Sequence, residues 1–185
     1  MMKPFLLTLS ITFSLAVANL QAQDYYTGKD TIKTATETFV VKNYGSYFSV
    51  QNVKNVKMNA FQYDTKTGKL LSMAETGFPT AQPDKAMFAE ILKEVFTKEE
   101  IAKFSNDGRN GIGLYFVIEP NSGKTLEVKF EILNIPESNN PIMLSVPVSK
   151  LERLELLMKQ KLIWSVPKSK KWKYVSDIRA PYGYF

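Results

Sequence analysis

Histidine and cysteine are both absent from this chain. Without cysteine there is no disulfide, no thiol nucleophile, no Cys-ligated zinc and no lipid-anchored N-terminal Cys. Without histidine the usual general base and the commonest metal ligand are missing. A Ser-His-Asp or Cys-His catalytic site is therefore excluded. Long apolar runs are also scarce. The longest is Phe5 to Val17, thirteen residues diluted by Thr and Ser, short of the roughly 20 residues that a membrane span needs.

That run has the make-up of a secretory signal. Lys3 supplies the positive start and the small residue Ala22 precedes Gln23-Asp24. Cleavage is expected after Ala22 or Ala18. The expected organisation is a signal peptide over 1–22, a loose polar segment over 23–35, and one α+β domain over 36–185. Candidate sub-units of that domain are 36–105 and 111–185. The mature chain is expected to carry no transmembrane segment and to be secreted or periplasmic. Removing Lys3 lowers the cation count from 24 to 23 against 18 acids, a formal charge of +5.

What is abundant points to a packed core. Of the 185 residues 44% are hydrophobic, with twelve Phe, nine Tyr and two Trp. That is enough to fold without covalent staples.

The clearest pattern runs from Gly113 to Leu133. Leu114, Phe116 and Ile118 share one face of a strand. Pro120-Asn121-Ser122-Gly123 is a turn with Gly placed for positive φ. Leu126, Val128, Phe130 and Ile132 then alternate with Thr125, Glu127, Lys129 and Glu131, which predicts one buried face. A second hairpin is expected around Asp64 to Gly68. Val56, Met58 and Ala60 form one of its strands and Lys69 to Ala74 the return. Gly68-Lys69-Leu70-Leu71 parallels Gly123-Lys124-Thr125-Leu126, which suggests a duplicated strand-strand-helix unit. Asp84 caps a helix whose apolar face holds Phe88, Ile91, Leu92 and Val95. Thr97 and Glu100 form a capping box with Phe96 and Ile101 as its staple, and Ser149 and Glu152 form another. Leu151, Leu154, Met158 and Leu162 make the stripe of the last helix. Lys170 to Ile178 reads as a final strand. The fold class is therefore α+β: an antiparallel sheet built from two β-hairpins, with two or three helices packed on one side.

The order strand, strand, helix, strand from Gly113 to Phe185 resembles the C-terminal domain of TonB-type energy transducers. The matching pieces are Phe116-Val117-Ile118-Glu119, Gly123-Lys124, Glu127-Val128-Lys129, the Leu151 to Leu162 helix, Trp164 with Pro167, and a strand ending near Pro181. They cover under half of the chain. That family's membrane anchor and Pro-rich spacer are missing here. What the resemblance implies is a binding mode, the addition of an extended peptide to a sheet edge. The whole chain, with its Ala22-Gln23-Asp24 junction and lysine-rich body, also resembles small secreted proteins of Bacteroides-type bacteria.

The candidate binding surface is basic and aromatic. Lys159, Lys161, Lys168, Lys170, Lys171 and Lys173 fall within fifteen residues, and no acid lies between Glu155 and Asp177. Trp164, Trp172 and Tyr174 are interleaved. Lys168, Lys170, Lys171, Lys173, Trp172 and Tyr174 are its expected contacts with an anionic glycan or a lipid headgroup. A solvated face with lysines guarding an edge strand explains the same residues. Nucleic acid is not expected, because the recognised motifs are absent. No cofactor and no metal are expected. Asp107-Gly108-Arg109-Asn110-Gly111 reads as a helix stop as readily as a ligand loop. Asp64, Thr65 and Thr67 read as a turn, since a calcium loop's spacing is missing.

The functional expectation is thus a non-enzymatic, secreted or periplasmic binding module. Its alternative is a carboxylate-based glycan hydrolase using Glu90, Glu94, Glu99 or Glu100. Lysines on the same helix account for those acids through i,i+4 pairing.

Overall fold

The computed structural model describes residues 25–58, 81–106, 111–133, 145–166 and 174–179. Six strands form one antiparallel sheet: β1 (Thr31–Lys33), β2 (Thr38–Asn43), β3 (Tyr47–Asn52), β5 (Ile112–Ile118), β6 (Thr125–Leu133) and β8 (Val175–Arg179). Their order is β1-β2-β3-β6-β5-β8. A two-stranded ladder joins β4 (Gln82–Pro83) to β7 (Trp164–Ser165). Three helices are seen among the described residues: α1 (Lys85–Val95), α2 (Lys98–Asn106) and α3 (Val148–Lys161). α3 packs on β6 and α1 packs on α3. The expected α+β class, with helices over an antiparallel sheet, is the observed one.

Register places the core. Val41 faces Val50, Val50 faces Phe130, and Phe130 faces Leu114. These residues with Phe39, Phe48, Phe116, Val128 and Ile132 form the buried inner face. Leu151, Leu154, Leu157 and Met158 cover it from α3, and Phe88, Ile91 and Leu92 from α1. Each such side chain contributes about 1.5–3 kcal/mol by leaving water.

Local chemistry sets two of the helix starts as expected. Asp84 Oδ1 accepts from Met87 N at 3.0 Å. Thr97 Oγ1 accepts from Glu100 N at 3.2 Å, while Glu100 Oε2 accepts from Thr97 N at 2.8 Å. The capping box expected at Ser149 and Glu152 does not form. α3 begins at Val148 behind Pro147, with no side-chain cap. Val148 is buried, which draws the start two residues earlier, and Glu152 accepts from Thr36 Oγ1 instead.

Four further expectations give way to tertiary context. Residues 25–35, expected to be loose, are tied down: Tyr26 is fully buried, its hydroxyl donates to Val146 O at 2.5 Å, and β1 joins the sheet. The strict alternation expected through β6 breaks where Val117 and Ile118 face Glu127 and Thr125. Leu126 is the extra residue of a bulge. It turns partly outward and sends Thr125 inward, where Thr125 Oγ1 accepts from Trp164 Nε1 at 2.9 Å. Val56, expected in a strand, lies outside any strand and is 70% exposed. The final strand begins at Val175, later than expected. The Asp64 to Gly68 hairpin, the duplication argued from it and the Asp107 to Asn110 loop lie outside the described residues.

The β5–β6 turn is fixed by a contact with the C-terminal half. Gly123 has φ +68°, and Trp164 N donates to Gly123 O at 2.8 Å. A Cβ on Gly123 would collide with the Trp164 carbonyl oxygen. Both the backbone angle and the approach therefore require glycine.

Candidate functional site

The described polar chemistry gathers where β5 turns into β6, and β3's end decides its form. β3 stops at Asn52, whereas β6 continues for four residues beyond its last partner there. That leaves β6 backbone groups without a strand beside them. Residues 52–57 fill the gap with side chains. Asn55 Nδ2 donates to Val128 O and to Glu155 Oε1, both at 2.8 Å. Lys159 Nζ lies 3.0 Å from Asn55 Oδ1 and 2.6 Å from Glu155 Oε1. Asn52 Nδ2 reaches Glu155 Oε2 at 3.5 Å, and Asn52 Oδ1 accepts from Lys54 N at 3.0 Å. On the other side of the sheet Lys57 N donates to Glu127 Oε1 at 2.9 Å. Glu127 Oε2 is buried with no hydrogen-bond partner among the described residues.

This segment is inside out. Asn52 and Asn55 are 5% and 2% exposed, while Val53 and Val56 between and beside them are 49% and 70% exposed. Burial normally runs the other way. The two amides are tolerated inside because their donors and acceptors are matched. Leu156, next to Glu155 on α3, is also exposed.

The ion pairs around the segment are asymmetric in depth. In Lys57–Glu127 the ammonium side chain is 40% exposed and the carboxylate side chain 4%; in Lys159–Glu155 the values are 31% and 4%. Lys54 pairs with Glu37 at 3.0 Å, and its ammonium holds the Glu37 carboxyl below the usual carboxylate range. Solvent meets the cations first.

Elsewhere two of the acids singled out by sequence, Glu94 and Glu100, pair with helix α3 rather than with their own helix. Glu94 accepts from Arg153 at 2.5 Å and from Lys161 at 2.7 Å, and the Lys161 contact holds its pKa down. Glu100 pairs with Lys150 at 2.6 Å. On the outer sheet face Tyr115 donates to Glu131 Oε2 at 2.7 Å, and the Lys129 ammonium sits 4.1 Å from the Tyr115 ring centre. Burial, then the Glu131 carboxylate, pushes the Tyr115 phenol up to about 12.

Of the sequence-predicted contacts, Lys168, Lys170, Lys171, Lys173 and Trp172 lie outside the described residues. Tyr174 is half-buried. The segment's two flanks are placed: β7 docks on Gly123, and β8 starts opposite Ile118. Both flanks stand at the same end of the sheet as residues 52–57. Sequence reasoning missed Asn52, Asn55, Glu127 and Glu155. The one available signal was valine alternating with asparagine in a turn.

Among the described residues no cluster of three or more acids could hold a metal ion, and no helix is long and apolar enough to cross a membrane. No protein-family model and no curated protein matches the sequence. The fold is of the antiparallel α+β class, and it has a solved relative in shape. A DUF5043 family protein from Bacteroides uniformis superposes with a TM-score of 0.62 at 18% identity, over 81% of this chain and 83% of that one. The likeness is one of fold.

Proposed function

We propose that this chain is an exported, non-enzymatic binding module for an anionic partner, working in the periplasm or outside the cell. One observation carries the reading. At the β5–β6 turn end, lysine ammonium groups face solvent while Glu127 and Glu155 lie buried behind them. The described residues on either side of the Lys168 to Lys173 run, Trp164 and Val175, lie at that same end. A partner approaching there meets positive charge.

The hydrolase alternative needs two carboxyls facing an open cleft, one of them with a raised pKa. Glu94, Glu100 and Glu155 are instead engaged by cations from α3, and Glu94 is displaced downward. That arrangement favours binding over acid catalysis.

The test is retention of the mature protein on an acidic polysaccharide matrix and on anionic vesicles across a salt gradient. Wild type is compared with a variant carrying Lys168, Lys170, Lys171 and Lys173 all changed to Gln. The expectation is salt-sensitive retention on at least one of the two, since exposed charges are screened within about 8 Å at physiological ionic strength. The quadruple variant should elute at lower salt. Equal elution of both proteins, or no retention of either, overturns the reading. Export is checked separately by mass spectrometry of protein from its native host, with an N-terminus at Gln23 or Asn19 expected and an intact Met1 refuting it.

A further inference from the structure

We infer that the inside-out segment 52–57 is a docking surface for an anionic lipid bilayer. This rests on the binding reading above and narrows its partner. The starting point is the inversion itself. Burying Asn52 and Asn55 while exposing Val53 and Val56 runs against the free energy of transfer for both residue types. The Asn55 contacts to Val128 O, Glu155 and Lys159 hold the segment in that orientation. The valines are thus held outward.

The composition of the rim selects the occupant. Protein interfaces favour Tyr, Trp and Arg at their centre and are depleted in Lys. Here the anchors are aliphatic and the cations are Lys54, Lys57 and Lys159, whose side chains are 68%, 40% and 31% exposed. Short aliphatic side chains ringed by lysines match the boundary between phosphate headgroups and acyl chains. Glu127 and Glu155 lie buried behind Lys57 and Lys159, and Glu37, the partner of Lys54, is 23% exposed, so in each pair the ammonium lies further out than its carboxylate. Each lysine near an anionic leaflet is worth about fivefold in affinity, and each buried methylene-sized group about fourfold.

The experiment is co-sedimentation of the mature protein with vesicles of phosphatidylcholine alone and of phosphatidylcholine with phosphatidylglycerol. Wild type, Val53→Ser/Val56→Ser and Lys54→Gln are compared. The two valine side chains are exposed and unpaired, so the unfolding curve of that variant should coincide with wild type, whereas Lys54→Gln also gives up the Glu37 ion pair; both curves are measured first and binding is compared where each protein is fully folded. The expected result is binding only to the anionic vesicles. The valine pair should weaken it about tenfold or more, and Lys54→Gln severalfold and only at low salt. No binding to anionic vesicles, or binding that the valine pair leaves unchanged, overturns the inference. A parallel arm on the acidic polysaccharide matrix separates the two ideas. Retention there without vesicle binding leaves the anionic-partner reading standing and refutes the lipid surface. Failure in both arms refutes both.

Discussion

Asn55 is where the described polar network can be broken with the most informative result. Its side chain makes three contacts: to Val128 O and Glu155 Oε1 at 2.8 Å each, and to Lys159 Nζ at 3.0 Å. Asn55→Ala deletes all three but keeps the backbone bonds from Asn55 N to Asn52 O and from Gln51 Nε2 to Asn55 O. The Val128 carbonyl then loses its partner inside the protein, at a cost of about 1–3 kcal/mol. Glu155 keeps Lys159 at 2.6 Å, so its loss is smaller, about 1 kcal/mol. The sum is about 2–4 kcal/mol, a large part of the roughly 5–15 kcal/mol that holds a domain folded. Asn55→Asp is the sharper probe. It is nearly isosteric, but it turns an oxygen toward two oxygens, so at neutral pH it should be less stable than Asn55→Ala. The gap should close as the pH falls toward about 4, because a carboxyl buried against two oxygens takes up its proton above the ordinary Asp value. Urea unfolding at several pH values gives both numbers, with an unchanged m-value as the control for two-state behaviour. An Asn55→Ala protein within about 0.5 kcal/mol of wild type would refute the network, as would an Asn55→Asp protein more stable than Asn55→Ala at pH 7.

Thr97→Ala should lower stability by roughly 1 kcal/mol in the same assay, whereas Ser149→Ala should change it little, because only the first residue caps a helix. Gly123→Ala should cost well over 2 kcal/mol or prevent folding, since it adds a left-handed backbone penalty to a collision with Trp164; wild-type stability would refute the docked turn. Tyr115 should ionise near pH 12, well above the ordinary phenol value of 10, in an alkaline absorbance titration. The folded pKa lies above the unfolded one, so this residue's contribution is complete below pH 10 and is lost as the pH rises toward 12. Tyr115→Phe should remove that late step.

What the sequence makes legible is what it encodes within a few residues. Asp84 and Met87, or Thr97 and Glu100, are three positions apart, and their bonds form as their spacing implies. Ser149 and Glu152 have the same spacing and fail, because Thr36 takes the glutamate from 116 residues away. The inner face of β5 and β6 could be read from its period of two, but the bulge at Leu126 could not, since one extra residue leaves no mark on composition. The buried Asn55 looks like an ordinary turn residue. Its partners Val128 and Glu155 lie 73 and 100 positions away, so only the folded chain reveals them.

The strand order carries a consequence for how the chain reaches its final form. β5 sits beside β6 on one side and β8 on the other, and β8 comes from the last eleven residues of the sequence. Until those residues are made and docked, Ile112–Ile118 is an open sheet edge with Leu114, Phe116 and Ile118 along one face. Such an edge is a template for pairing with another chain. β8 thus acts as a late-arriving guard against self-association. A chain ended just before Val175 should keep most of its helix content yet elute from a sizing column as dimers or larger species.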